Sequence, residues 1–153
     1  KNILFFNYAL GEKSEKKLFN ITKRADSSSF LKINDLIKNI DYIIKEKREV
    51  QINSLDEIIE DTNLVKPILI KIDVQGYEFE VLKGSKNILK QIKYLIIEVS
   101  ENEIYKGQFL TNEIIEYLKN YNFKAVNQTK IYKIKGTEFK QKDVLFINKT
   151  LNE

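Results

Sequence analysis

Neither cysteine nor histidine occurs among the 153 residues of this chain. That excludes disulfides, thiolate nucleophiles, the usual zinc spheres and every imidazole base, so acid–base chemistry falls to Asp, Glu, Lys or Tyr. Glycine is sparse: Gly11, Gly76, Gly84, Gly107 and Gly136 never approach a G-x-G spacing, so no phosphate loop or dinucleotide fingerprint is present. One proline, and no repeat or Ser/Gly-rich linker, leave residues 1 to 153 as a single continuous domain. No apolar stretch reaches the ~20 residues of a membrane span and no signal-peptide pattern opens the chain, so no membrane partner is expected and the location is read as cytoplasmic. Methionine is also missing and the chain begins at Lys1, which makes a C-terminal portion of a longer polypeptide the expectation.

Charge of either sign is only weakly in excess. The 26 basic residues against 22 acidic leave +4, the lysines are scattered among glutamates and asparagines, and Arg24 and Arg48 are the only arginines. A nucleic-acid surface needs basic residues grouped on one face, so none is expected as a partner. With 42% hydrophobic and 31% charged residues the composition is that of a globular domain.

What is present reads as alternating strands and helices. "NILFFNYALG" (Asn2 to Gly11) has the aromatic and β-branched content of a buried strand, and "KKLFNIT" follows as a second. From Phe30 to Lys47 the residues Ile33, Leu36, Ile37, Ile40, Ile43 and Ile44 recur at three and four, which predicts an amphipathic helix. "EVQIN" alternates as a strand, and "SLDE" (Ser54 to Glu57) has the spacing of a capping box opening a short helix that ends before Pro67. Ile68 to Ile72 is a continuous apolar run, as in a strand covered on both faces. A helix with Phe79, Val81 and Leu82 follows, Ser85 is placed to cap a second short one, and Tyr94 to Ser100 is another buried run. Strand, helix and strand at this spacing predict parallel pairing. Thr111 is read as the cap of a helix bearing Ile114, Ile115, Leu118 and Tyr121, and "FKAVNQTKIYKI" and "DVLFINK" close the chain as an antiparallel pair. The sum is an α/β domain.

One corner stands out. The run ending at Ile72 stops in Asp73, Gly76 follows, and Glu98 lies near the end of the next strand. In open parallel sheets ligands sit outside the carboxyl ends of the strands, so neighbouring strands would carry both acids to one rim. Alternation puts Lys71 on the side of Asp73, where an ammonium between the two acids would keep them ionised. Plainer roles are open for each: Lys71 as a stem packed on the sheet, Asp73 as a helix cap, Glu98 as a partner of Lys71, Glu78 and Glu80 as anions at a helix start. "DSSS" (Asp26 to Ser29) either lines a ligand or simply starts a helix or loop.

"LIKIDVQGYEFEVLKGSKNIL" followed by "YLIIEVS" closely resembles the FkbM family of S-adenosylmethionine-dependent methyltransferases. The residues that carry it are Lys71, Ile72, Asp73, Val74, Gln75, Gly76, Tyr77 and Glu78, then Val81, Leu82, Gly84 and Glu98. Weaker similarity extends to "YALG" at Tyr8 to Gly11, the serine patch Ser27 to Ser29, "INSLDEII" and "DVLFINK". The resemblance implies a Rossmann-like class I methyltransferase sheet, mostly parallel with an antiparallel C-terminal hairpin. The family's glycine loop D-x-G-A-N-x-G is not in this sequence. On this mapping the domain lacks its first two strands, Asn2 to Ala9 is the third, and the residues here are not expected to bind cofactor well by themselves.

The resemblance also implies S-adenosylmethionine as cofactor, with Asp73, Val74, Gly76 and Ser28 against it, and methyl transfer to a hydroxyl of a sugar or natural product. Asp73 is the first candidate for acceptor contact or base, Glu98 the second, and Lys71 would tune the pair. A small-molecule or glycan acceptor is the expected partner, with self-association a further option if strand edges are left open. No metal is assigned, a magnesium ion between the two carboxylates being the lesser alternative. The rival from another class is a catalytically silent α/β module that serves in partner binding or structure.

Overall fold

A computed structural model describes residues 3–59 and 64–151, whose strands fall into two sheets. Ala9–Leu10 (β1), Glu15–Thr22 (β2) and Ile44–Asn53 (β3) form the first, in the order β1-β3-β2, with β2 antiparallel and β1 parallel to β3. The predicted strand from Asn2 thus shrinks to Ala9–Leu10. Asn2 lies outside the described residues, and Ile3, Leu4, Phe5 and Phe6 are exposed and in no strand.

The predicted helix over Phe30 to Lys47 does not form. Ser29 bridges back to Asn20, Ile33 bridges to Tyr105, Ile40–Tyr42 makes one 3-10 turn, and β3 begins at Ile44. Asparagine is the physical reason. Asn34 Oδ1 accepts from the Leu36 amide at 3.0 Å and Asn39 Oδ1 from the Asp41 amide at 2.9 Å, so side chains close local turns where a helix needs backbone carbonyls. The isoleucine spacing therefore marks no single apolar face: Ile37 packs with Ile104, Tyr105 and Ile134, while Leu36, Ile40 and Ile43 stay exposed.

After β3 the capping box forms as its spacing predicts. Ser54 Oγ accepts from the Glu57 amide (3.2 Å), Glu57 Oε2 accepts from the Ser54 amide (3.0 Å), and the helix Leu55–Ile59 (α1) follows. Where the predicted helix ends lies outside the described residues. Ser54→Ala should cost about 1 kcal/mol of stability, read from denaturant unfolding of the complete protein.

The second sheet holds the site. Its elements are Ile68–Ile72 (β4), Glu78–Lys83 (α2), Ile92–Ser100 (β5), Thr111–Lys119 (α3), Phe123–Gln128 (β6), Tyr132–Lys133 (β7) and Lys140–Asn148 (β8). The order is β4-β5-β8-β6, with β7 also on β8. β4 and β5 pair in parallel, as the strand-helix-strand spacing predicts, and β8 runs antiparallel to both β5 and β6. The expected "mostly parallel" sheet is met in part: β4, β5 and β6 run in one direction with β8 reversed between β5 and β6, while among the described residues only β1 with β3 and β4 with β5 pair directly in parallel. β8 turns back beside β6, and insertion of that reversed strand next to β5 makes the rest of the sheet antiparallel. The two-sided burial predicted for β4 also fails, since Ile68 and Ile72 are buried but Leu69 is 55% exposed.

Leu82, Leu89, Leu95, Ile97, Leu118 and Phe146 are sealed in one core between this sheet and its helices. Each such side chain contributes about 1.5–3 kcal/mol relative to exposure, which anchors the ends of β4 and β5. Two predicted caps take other roles. Ser85 Oγ donates to the Val81 carbonyl (2.6 Å), and Thr111 Oγ1 donates to the Ser100 carbonyl (3.0 Å). Both hydroxyls are buried or half-buried beside free carbonyls, which they satisfy in place of a helix start.

Candidate functional site

The corner after β4 is closed by a buried acid. Glu78 Oε1 accepts from the Val74 amide (3.0 Å) and the Gly76 amide (3.1 Å), folding its own strand-to-helix turn around itself. Gln75 and Gly76 occupy the left-handed region at φ +55 and +88, and a Cβ on Gly76 would meet the Tyr105 ring at 2.9 Å. Glycine there is required by both φ and space. Asp73 is therefore not the cap of this turn; Glu78 is.

Burial pushes the Glu78 carboxyl up to about 7, against the pull of the backbone amides it accepts. An acid raised by folding holds its proton better folded than unfolded. The fold is thus penalised progressively as pH climbs from the ordinary value of 4.5 to about 7, by ~3 kcal/mol in all. Glu78→Gln keeps an oxygen for both amides and removes the charge. Its expected result is a complete protein more stable above pH 7 and with a flatter stability curve between pH 4.5 and 7, measured by urea unfolding across pH.

The two rim carboxylates do meet, through a residue between them. Gln75 Nε2 donates to Asp73 Oδ1 at 3.0 Å and to Glu98 Oε2 at 3.1 Å, while Gln141 Nε2 from β8 donates to Glu98 Oε1 at 2.9 Å. Lys71 sits on the far side of Asp73, 3.1 Å from its Oδ2 and 3.7 Å from Asp143. The expectation that Lys71 separates the two acids is thereby corrected: the amide of Gln75 does, because the Lys71 ammonium reaches past β5 to lie between Asp73 and Asp143 of β8. Nor is Glu98 kept ionised. Burial first, then the charges of Asp73, Glu78 and Asp143, push its carboxyl up to about 8, with Lys71 opposing. Asp143 stands directly across from Glu98 in the strand register, a like-charge pairing that favours the proton.

Around these acids lies a polar cavity of about 410 Å³ lined by Arg24, Asp26, Ser27, Tyr42, Asp73, Gln75, Glu98 and Gln141. The Arg24 guanidinium grips Asp26 at 2.7 and 2.9 Å, so this wall is itself an ion pair. Burial raises the Tyr42 and Tyr105 hydroxyls and keeps both neutral donors. Of the residues predicted to touch cofactor, only Asp73 lines the cavity. Val74 packs on the apolar core and the Gly76 amide is engaged by Glu78. Ser28 Oγ accepts from the Thr22 amide at 3.1 Å, so Ser28 braces the loop while Ser27 faces the cavity. A magnesium ion between the acids does not suit this donor set, because the gap between Asp73 and Glu98 is filled by N–H groups. Among the described residues no three acidic side chains gather as a metal site.

The sequence signals missed Gln75, Gln141, Tyr42 and Tyr105 as neighbours of the acids. Gln75 lay inside the recognised stretch and was legible there. The others come from loops and a strand far along the chain.

A strand, a left-handed corner, a helix and a parallel strand that set two carboxylates on the lip of a polar cavity define a ligand-handling α/β domain. The chain matches the profile described as Methyltransferase FkbM domain over residues 1–125 and belongs to that family. It is similar to the hexuronic acid methyltransferase AglP of Haloferax volcanii, 43% identical over 44 residues, or 29% of this chain and 18% of that protein. It is likewise similar to the 2-O-methyltransferase NoeI of Sinorhizobium fredii, 32% identical over 76 residues, or 50% of this chain and 31% of that protein. The matches thus span less than a third of either curated relative's length. No solved structure matches the chain. No helix among the described residues is long and apolar enough to cross a membrane.

Proposed function

We propose that this chain forms the acceptor side of an S-adenosylmethionine-dependent O-methyltransferase acting on a hydroxyl of a sugar or related natural product. The carrying observation is the pair Asp73 and Glu98, bridged by one amide on the wall of a 410 Å³ cavity whose lining is otherwise hydroxyls, amides and an ion pair. Such a lining matches a polyhydroxylated ligand better than an apolar one. Membership of the FkbM family supports the transfer, and the names of the two relatives support a hydroxylated acceptor.

S-adenosylmethionine, when bound, supplies a methyl group already activated on a sulfonium. Beside that positive charge the residues of this chain that fit are Asp73 and Glu98. For its adenosine the described residues offer no glycine-rich turn, the one corner glycine being taken up by Glu78 and Tyr105. The chain's own task is to orient the acceptor hydroxyl for in-line attack and to take its proton. Asp73, held by Lys71 and Gln75, meets that hydroxyl as base, and Glu98 stands next to it to share the proton. A small-molecule or glycan acceptor and a cytoplasmic setting belong to the same proposal, with neither nucleic acid nor membrane as partner.

The test is transfer of labelled methyl by the complete protein to a panel of monosaccharide and glycoside hydroxyls. Oxygen methylation of a sugar is the expected result. Methylation only of nitrogen or of carboxyl groups would sink the hydroxyl reading, and no methylation at all would favour a silent binding module.

A further inference from the structure

Gln75 has a geometry that neither its place in the turn nor its family resemblance explains. Its backbone is left-handed, at φ +55, and its carbonyl accepts from Ser29 Oγ at 2.6 Å. Its side-chain amide is held at both ends. Nε2 donates to Asp73 and Glu98, and Oε1 lies 3.0 Å from the Tyr105 hydroxyl. That hydroxyl also lies 3.0 Å from the Ser27 carbonyl, and its one proton serves one acceptor at a time. The reversed amide would turn Oε1 onto two carboxylates, which is repulsive while either is ionised, so the carboxylates on one side and the phenol on the other select one orientation.

We propose that Gln75 is the positioning residue of this site: its side-chain amide, aimed by Tyr105, spans the gap between Asp73 and Glu98 and holds both carboxylates turned to the cavity. Without the bridge both carboxyl groups would be free to turn, and a flexible acid is a poor base because its geometry must be set before the proton moves. The bridge also acts on the acid–base balance of Glu98. That carboxyl faces Asp73 and Lys71 from β4 and its corner, Glu78 from α2, Asp143 from β8, the Tyr42 and Tyr105 hydroxyls, and the Arg24–Asp26 pair across the cavity. Among the described residues Gln75 and Gln141 are the ones that donate to its oxygens, and a donor to a carboxylate favours the ionised form.

Gln75→Asn isolates the effect. Asn tolerates the left-handed backbone and keeps an amide, but it is shorter by one methylene, about 1.5 Å, and does not reach both acids. In the complete protein, carbon-13 NMR of labelled glutamate carboxyls should show the Glu98 titration midpoint move up by about one pH unit in Gln75→Asn. Tyr105→Phe should shift it the same way by less, because the amide then loses its aim. The kinetic arm rests on the methyl-transfer proposal: kcat should fall about 10- to 100-fold in Gln75→Asn with the acceptor KM little changed. Gln75→Glu should hold at most one of the two acids at low pH, where its protonated carboxyl has a single O–H to donate. It should fail as pH rises, when it becomes a third anion facing the other two.

A Glu98 titration unchanged in both Gln75→Asn and Tyr105→Phe would overturn the proposal. If the midpoint moves but the complete protein methylates no acceptor, the positioning role stands and the methyl-transfer reading falls. If transfer occurs and Gln75→Asn alters neither the titration nor kcat, transfer stands and the positioning role falls.

Discussion

Asp73→Asn in the complete protein should lower methyl transfer to a sugar hydroxyl by about 10²- to 10⁴-fold, the usual range for losing a positioned acid–base group. The change is nearly isosteric and keeps an oxygen that Gln75 Nε2 can meet, so the corner stays folded while the negative charge and the proton acceptor are lost. Lys71 then retains Asp143 at 3.7 Å. Glu98→Gln should cost less and reshape the pH profile. With its carboxyl pushed up to about 8, Glu98 becomes an available base only as pH rises through that value, so the wild-type rate should climb across it. Glu98→Gln should remove that climb. Steady-state rates from pH 6 to 9 on both variants check this, and full activity in both would take the two acids out of the mechanism.

Gly84→Ala should be the most damaging single substitution for the fold. A Cβ at Gly84 would lie 1.9 Å from the Gly11 carbonyl oxygen and 3.1 Å from Ser54 Cβ. The obstacle is backbone, which cannot rotate away as a side-chain tip would. Gly11 belongs to the turn after β1 and Gly84 ends α2, so their contact is where the first sheet closes on the helix that follows the Asp73 corner. Separating them would also pull on the Asp56 amide, which donates to the Gly84 carbonyl at 3.0 Å. Overpacking of this kind costs roughly 1–3 kcal/mol, and more where neighbours cannot yield. A loss at or above the top of that range in thermal unfolding of the complete protein is expected. Unchanged stability would mean that the two sheets slide freely past each other.

Local patterns carried far where one short-range force governs. The Ser54 and Glu57 capping box, the β4-α2-β5 unit and the closing antiparallel strands were all legible, because capping, strand alternation and crossover length act over a few residues to a few dozen. The helix predicted over Phe30 to Lys47 failed for a reason also present locally: Asn34 and Asn39 bond their own backbone, and the isoleucines answer to two different neighbourhoods. Periodicity was weighed there without the competing side chains.

The sequence by itself determined which acids stand near the ends of the two parallel strands, that no histidine or cysteine assists them, and the family to which that stretch is similar. Only the tertiary structure decided what stands between those acids. Gln75 sits there through a left-handed turn, Tyr105 arrives from the loop after β5, Gln141 from β8, and Lys71 turns to Asp73 and Asp143 instead. Tyr105 and Gln141 are not fixed by spacing along the chain, since one is brought by a loop folding back and the other by sheet order, and those depend on contacts between residues tens of positions apart.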